Sequence, residues 1–261
     1  MSSTPASGAG APEEPQGLEH WQGDALVVGG GGIGLALLEA LAQRAPGLRL
    51  WATSRRPWPA GSVVPPERVL DLDLTDDSSL EACTSRLQDE DVRLRLVINT
   101  AGLLHDGALQ PEKRLQQLRR DSLQRLFSVN AYGPVLLARA LEPLLPRQKP
   151  LHFASLSARV GSIGDNRLGG WYGYRAAKAA QNQLLRCLAL EWERRLPLAC
   201  VSLLHPGTTA TALSEPFRRS VPAEQLFTPE RAAHHLLAVI AAQTPAHSGR
   251  FLAWDGTLIP W

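Results

Sequence analysis

The sequence predicts one α/β domain built on a doubly wound, mostly parallel sheet of about seven strands, with helices on both faces. Three observations carry that prediction. Short apolar runs alternate with longer segments of helical periodicity from Asp24 onward, which implies parallel pairing through right-handed crossovers. A run of glycines, Gly29 to Gly32 with Gly34, joins the first apolar run to the first helical pattern. A chain of 261 residues with 44% hydrophobic content can also bury one large core.

Taken in order, "DALVVG" is a buried strand and "IGLALLEALAQRA" a helix with apolar residues at helical spacing. "LRLWATS" is the second strand and "ERVLDLDL" the third, after which the Asp and Ser run of "DDSSLEACTSRLQ" offers an N-cap to a helix. "RLRLVINTAG" is a fourth strand ending in a small-residue turn. A long helix covers about Asp121 to Leu145, and Pro134, which lacks an N–H, must distort it or lie near a break. "PLHFASLS" is the fifth strand, Tyr172 to Arg195 a long helix and "LACVSLLHPG" the sixth strand. "TPERAAHHLLAVIAAQ" is the last helix, with Pro in its first turn, and "GRFLAWDG" closes the chain.

Composition narrows the function classes. A net charge of +2 balances many acids against many bases, so no nucleic-acid or membrane-surface partner is expected. Cys83, Cys187 and Cys200 are odd in number and widely separated, which reads as free thiols in a reducing compartment. The seven histidines show no zinc spacing, and no metal site is expected. Residues 1–22, rich in Ser, Pro, Gly and Ala and without Lys or Arg, read as a mobile tail preceding a domain at 23–261. No run approaches the roughly 18 apolar residues of a membrane helix. A cytoplasmic protein is the expectation.

The glycine turn, placed after a strand and before a helix, suits a pyrophosphate. Glycine permits positive φ and close backbone approach, and a helix N-terminus offers unpaired N–H groups. At the end of the second strand, where NAD-preferring proteins usually carry an acid, the chain reads "WATSRRP". The Ser54 hydroxyl and Arg55 guanidinium suit a 2′-phosphate and favour NADP over NAD. Arg56 reads as a bystander, and a solvated loop would explain both arginines.

The stretch "GGWYGYRAAKAAQNQ" holds two of the three tyrosines and one of the three lysines. Positions four apart share a helix face, so Tyr174 pairs with Lys178 and Tyr172 points elsewhere. An ammonium beside a phenol is expected to lower the phenol pKa toward the working pH and fit it for acid–base work.

"YRAAK", "GGGGIG", "NTAG" at 99–102, "VNAYG" around Asn130 and "HPG" at 205–207 together resemble the short-chain dehydrogenase/reductase family. "SARVGSIGDNRLGGWYGYRAAKAA" and the ending "IPW" are similar to its C-factor branch, which includes the sniffer-type carbonyl reductases. The resemblance implies a Rossmann-type fold, an NAD(P)-dependent oxidoreductase acting on a carbonyl or alcohol, and a homodimer or homotetramer. It implies Tyr174 as general acid/base, Lys178 as its partner and holder of the nicotinamide ribose, and Asn130 as the residue that keeps a water in the proton relay. Gly29, Gly32, Ile33 and Gly34 would hold the pyrophosphate, Asp73 and Leu74 the adenine, with Asp71 behind Asp73 because Thr75 and the helix cap follow the second aspartate. Asn99, Ala101 and Gly102 would line the adenosine ribose side, and Pro206, Gly207 and Thr211 the nicotinamide end.

Two departures stand out. The family's first glycine falls at Val28, so Gly29 must serve in a turn one residue tighter. The serine that usually polarises the substrate carbonyl falls at Ala158; Ser157, one residue earlier, is the choice, with Ser162 and Ser155 behind it. "TTATALSEPFRRSVPAEQLF" reads as a lid whose Leu213, Phe217 and Leu226 face Trp171 and Tyr172. Arg218 and Arg219 read as solvated or as attracting an anion. Leu184, Leu188 and Trp192 form a stripe that fits a subunit contact or the core equally. The rival reading is a dinucleotide-binding signalling or scaffold protein with idle catalytic parts.

Overall fold

A computed structural model describes residues 17–261. Seven parallel strands form the sheet: β1 (Gly23–Val28), β2 (Leu48–Thr53), β3 (Val69–Leu70), β4 (Leu94–Asn99), β5 (Leu151–Leu156), β6 (Ala199–His205) and, after a separate two-stranded pair β7 (Thr208–Thr209) and β8 (Leu226–Phe227), β9 (Arg250–Ala253). Their order is β3-β2-β1-β4-β5-β6-β9. The helices are α1 (Gly32–Arg44), α2 (Asp77–Asp89), α3 (Arg120–Phe127), α4 (Gly133–Leu141), α5 (Tyr172–Arg195) and α6 (Pro229–Ala241).

Alternation along each strand sends side chains to two cores. Leu26, Trp51, Val97, Phe153 and Val201 pack beneath α2, α4 and α5, while Val27, Leu50, Ile98 and Leu204 pack beneath α1 and α6. The central strands are buried on both faces and therefore read as continuous apolar runs. Leu188 and Trp192 belong to the first of these cores, Trp192 edge-on to Phe153 with ring centroids 5.9 Å apart. Those two members of the stripe are internal to this chain, while Leu184 is half-buried. Strand order reverses between β1 and β4, and the crevice at their carboxyl ends receives the glycine turn on one side and the turn after Asn99 on the other.

Three local expectations change. Residues 1–16 of the expected tail lie outside the described residues, but Leu18 and Trp21 pack into the fold, Trp21 beneath the Arg95 guanidinium. The third strand shrinks to two residues because the chain turns at Asp73, whose N–H donates to Ser79 Oγ and whose carboxylate accepts the Thr75 N–H instead of joining a ladder. The helix expected over Asp121 to Leu145 splits at a π turn, Ser128–Tyr132, just before Pro134. Widening the turn lets the Gly133 N–H reach Ser128 O where proline's missing N–H would leave a gap in an α-helical ladder.

Candidate active site

The phosphate turn is built on two glycines. Gly29 has φ of 103°, a region that side chains rarely adopt. Its N–H donates to Thr53 Oγ1 at 3.1 Å, and its carbonyl accepts from Thr100 Oγ1 at 3.1 Å. Gly34 sits so close that an added Cβ would lie 1.9 Å from Gly29 O. At Gly31, the N-cap of α1, an added Cβ would meet nothing within 4 Å, and no side chain caps the helix. An open cradle at the positive end of a helix fits a pyrophosphate. Gly32 borders it beside Thr211, whose Cγ2 would stand 3.5 Å from an added Cβ.

At the end of β2 the Ser54 hydroxyl bonds the Arg56 backbone. Arg55 donates to Asp73 Oδ2 at 2.7 Å, so two residues expected at the adenosine end are paired with each other. Burial works to raise the Asp73 pKa, but bonds from Thr75 and the Arg55 charge outweigh it and hold the carboxyl below the usual range. Leu74 is buried against Gly133.

Across the crevice, Asn99 Nδ2 donates to Ser155 Oγ at 2.9 Å and its Oδ1 accepts the Ala101 N–H. Asn130, projecting from the π turn, accepts the Leu103 N–H at 2.9 Å and donates to Leu103 O and Leu126 O at 2.7 and 3.0 Å. Its amide thus clamps the loop after β4, and Gly102 lies between Asn130 and Lys178. On the far side Gly207, with φ of 75°, packs under Phe227 and Trp254 after Pro206.

The helix α5 buries Tyr174, Ala177, Lys178, Gln181, Leu185, Leu188 and Trp192 along one side. Tyr174 is 6% exposed and Tyr172 41%, so only the first faces the interior. Trp171 caps the helix in the left-handed region (φ 51°) after Gly169 and Gly170, both of positive φ. This turn swings the indole over Tyr174, ring centroids 6.4 Å apart. Among the described residues no protein hydrogen bond engages the Tyr174 hydroxyl.

Lys178 Nζ stands 5.8 Å from the Tyr174 ring centroid and bonds Leu156 O and Gln181. The expected acidification of the phenol is absent. Burial pushes the Tyr174 pKa up, and burial also brings Lys178 down to about 7, weakening the charge that would oppose it.

Among the described residues no serine hydroxyl is hydrogen-bonded directly to Tyr174 or Lys178. The ladder continues one residue past β5, Ser157 N–H to Leu204 O at 2.8 Å, so alternation carries Ser157 to the side of Ser155. Its hydroxyl donates to Asn182 Oδ1 at 2.6 Å. Ala158 packs against the apolar cluster that holds Tyr174, as do Leu103, Phe127, Val160, Trp171, Leu213 and Phe217. Ser162 bonds Trp261 O and Asp165 N.

The lid closes over this cluster. Phe217, on a 3-10 turn at Glu215–Ser220, lies 4.6 Å from Trp171 between ring centroids and near His105. Leu226 stands instead in β8, paired with Thr208, and Tyr172 faces outward. Arg218 bonds Thr211 O and Ser214 within the lid.

Two further residues matter here. Glu112, 4% exposed, takes the Trp171 N–H on its carbonyl and the Gly173 N–H on its carboxylate at 3.2 Å, pinning the start of α5. It is 61 residues away in sequence, and no local signal marks it. Gln181 could have been found as a polar residue within an apolar helix stripe.

Residues 30–257 match the family model described as enoyl-(acyl carrier protein) reductase. The chain is 36% identical over 193 residues to a 1-hydroxy-2-glutathionyl-2-methyl-3-butene dehydrogenase of Rhodococcus sp. strain AD45, covering 73% of this chain and 78% of that one. It is 34% identical over 140 residues to the C-signal of Myxococcus xanthus, covering 53% and 78%. The NADPH-bound carbonyl reductase from chicken fatty liver shares the fold at a TM-score of 0.79 and 24% identity, over 92% of this chain and 99% of that one.

Proposed function

Because the chain belongs to the short-chain dehydrogenase/reductase family, and is therefore an NAD(P)-dependent oxidoreductase, we propose that it reduces an apolar carbonyl compound with NADPH, Tyr174 donating the proton. The observation that carries this is the Tyr174 phenol: buried under Trp171, with Lys178 one helical turn along and its hydroxyl unclaimed by protein partners among the described residues. Burial keeps that hydroxyl protonated at neutral pH, the state needed to deliver a proton to a developing alkoxide. Leu103, Ala158, Val160, Leu213 and Phe217 form the apolar wall against which a substrate would rest.

Gly29, Gly32, Ile33 and Gly34 would hold the pyrophosphate, and Ser54 and Arg55 the 2′-phosphate. Asp73 and Leu74 would meet the adenine, with Asn99, Ala101 and Gly102 beside the adenosine ribose. Lys178 would reach the nicotinamide ribose, and Pro206, Gly207 and Thr211 the ring. When bound, the reduced nicotinamide supplies the hydride. Asn130 fixes the loop between the two ends, and the lid excludes water.

NADPH oxidation against a panel of aldehydes, ketones and quinones tests the assignment. Failure across the panel with tight NADPH binding would favour the signalling reading, for which the likeness to C-signal is the motive.

The Arg55–Asp73 pair makes Arg55→Asp informative. Affinity for NADP should fall roughly 10- to 100-fold, by loss of one charge-assisted contact, while NAD affinity is retained. Equal losses for both dinucleotides in a fluorescence titration would remove Arg55 from the 2′-phosphate site.

Ser157→Ala should lower the melting temperature, since Asn182 Oδ1 loses its donor and Nδ2 is already unpartnered, a cost of about 1–3 kcal/mol. Its kcat/KM should change less than about threefold. A drop of about 100-fold without loss of stability would restore Ser157 as the carbonyl-polarising group.

A further inference from the structure

The ammonium of Lys178 is held by more than its own helix. It donates to Leu156 O at 2.9 Å and to Gln181 Oε1 at 2.9 Å. The nitrogen of that amide donates to Ser155 Oγ at 2.9 Å and Leu156 O at 3.2 Å. Ser155 Oγ also accepts from Asn99 Nδ2, and Asn99 Oδ1 accepts the Ala101 N–H. Gln181, Ser155 and Asn99 are each 0% exposed. A buried line of hydrogen bonds therefore runs from the lysine, across β5, to the turn after β4. An apolar residue at 181 would serve packing against Ala177 and Leu185 with no polar atom to satisfy, so the amide has another use.

We propose that Gln181 is a positioning residue for Lys178: its carbonyl oxygen, braced through Ser155 and Asn99, fixes the site of the ammonium and sets the pH range over which the Tyr174–Lys178 pair works. This rests on the reading of that pair as the catalytic one. Two of the three N–H donors of Lys178 are thereby used. The remaining one is available on the Gly102 side, where an added Cβ would lie 3.9 Å from Nζ.

The electrostatics make the acceptor matter. Burial alone brings Lys178 down to about 7. Besides Tyr174, α5 carries Arg175 beside it and Arg186, Cys187, Glu191, Glu193, Arg194 and Arg195 further along; the elements around it add Glu112 at its start, Arg120, Asp121 and Arg125 on α3, Tyr132 in the π turn, Arg139 on α4, Arg159 in the turn after β5, and His152 and His205 on the strands beneath. Burial is the cause of the shift and none of these groups enters it; the contacts that can work against burial are the acceptors 2.9 Å from the ammonium, because a hydrogen bond to the charged form favours it. Lys178 is charged below its pKa and neutral above it. Removing an acceptor lowers that pKa, and adding a carboxylate raises it.

The chain has only three lysines, Lys113, Lys149 and Lys178, so 15N NMR of labelled lysine side chains can follow the titration directly, with Lys178→Arg giving the assignment. Gln181→Leu should move the Lys178 midpoint down by about one pH unit, and Gln181→Glu should move it up. The falling high-pH limb of kcat/KM for NADPH-dependent reduction should move with it. A purely structural role would lower the melting temperature and leave the midpoint in place. Midpoints within about 0.3 unit of wild type in both variants overturn the proposal. A wild-type enzyme inactive on every carbonyl would instead overturn the reductase reading, while the NMR midpoints still decide the role of Gln181.

Discussion

Tyr174→Phe is expected to lower kcat for carbonyl reduction by about 10²- to 10⁴-fold while leaving NADPH affinity within about twofold. The ring contacts are Lys178 Nζ at 5.8 Å, Trp171 edge-on at 6.4 Å and the surrounding Leu104, Leu109, Leu126 and Ala177. Phenylalanine keeps all of them. No protein hydrogen bond to the hydroxyl is lost, so folding stability should hold or rise slightly, because a polar group leaves a buried site. What disappears is the proton donor. Tyr172→Phe serves as the control, since Tyr172 is 41% exposed and lies outside the cluster; its kcat should stay within about twofold. Steady-state kinetics with a carbonyl substrate, paired with NADPH fluorescence titration, checks both. Equal activity in Tyr174→Phe and wild type would move the acid elsewhere.

How much of this was legible in the sequence depends on the range of the physical cause. The doubly wound sheet was, because helix and strand periods alternate within windows of a few residues. So was the Tyr174–Lys178 pair, because a spacing of four on a helix fixes a shared face. The π turn was half legible: Pro134 announces a distortion, but whether the ladder breaks or widens depends on how Asn130 finds partners on Leu103. Ser157 illustrates the limit. One further rung of the ladder to Leu204 decides which way its hydroxyl points, and no motif records that rung. Long-range partners were invisible, including Arg55 on Asp73 and Glu112 at the start of α5. The tyrosine's electrostatics were misread for a related reason. Helical spacing supplies the neighbouring cation, but burial by Trp171, the lid and the helices decides the sign of the shift.

Gly34→Ala should abolish measurable dinucleotide binding, a loss of at least about 100-fold, and destabilise the fold by about 1–3 kcal/mol. The new methyl group would lie 1.9 Å from Gly29 O, well inside contact distance, and its obstacle is backbone. Gly29 cannot yield easily: its N–H is held by Thr53 Oγ1, its carbonyl by Thr100 Oγ1, and its φ of 103° belongs to a turn that its two neighbouring strands close around. Relief must therefore come from α1, whose first turn would shift away from β1. That shift displaces the very N–H groups offered at the cradle beside Gly31, so binding should fail before folding does. Gly31→Ala gives the contrast, because its Cβ meets nothing within 4 Å. It should leave stability unchanged and weaken NADPH only by crowding the space the pyrophosphate would take. Thermal melts with and without NADPH separate the two variants: wild type should gain stability from the cofactor, Gly34→Ala should not. An undiminished NADPH-dependent rise in Gly34→Ala would mean that the dinucleotide does not use this turn.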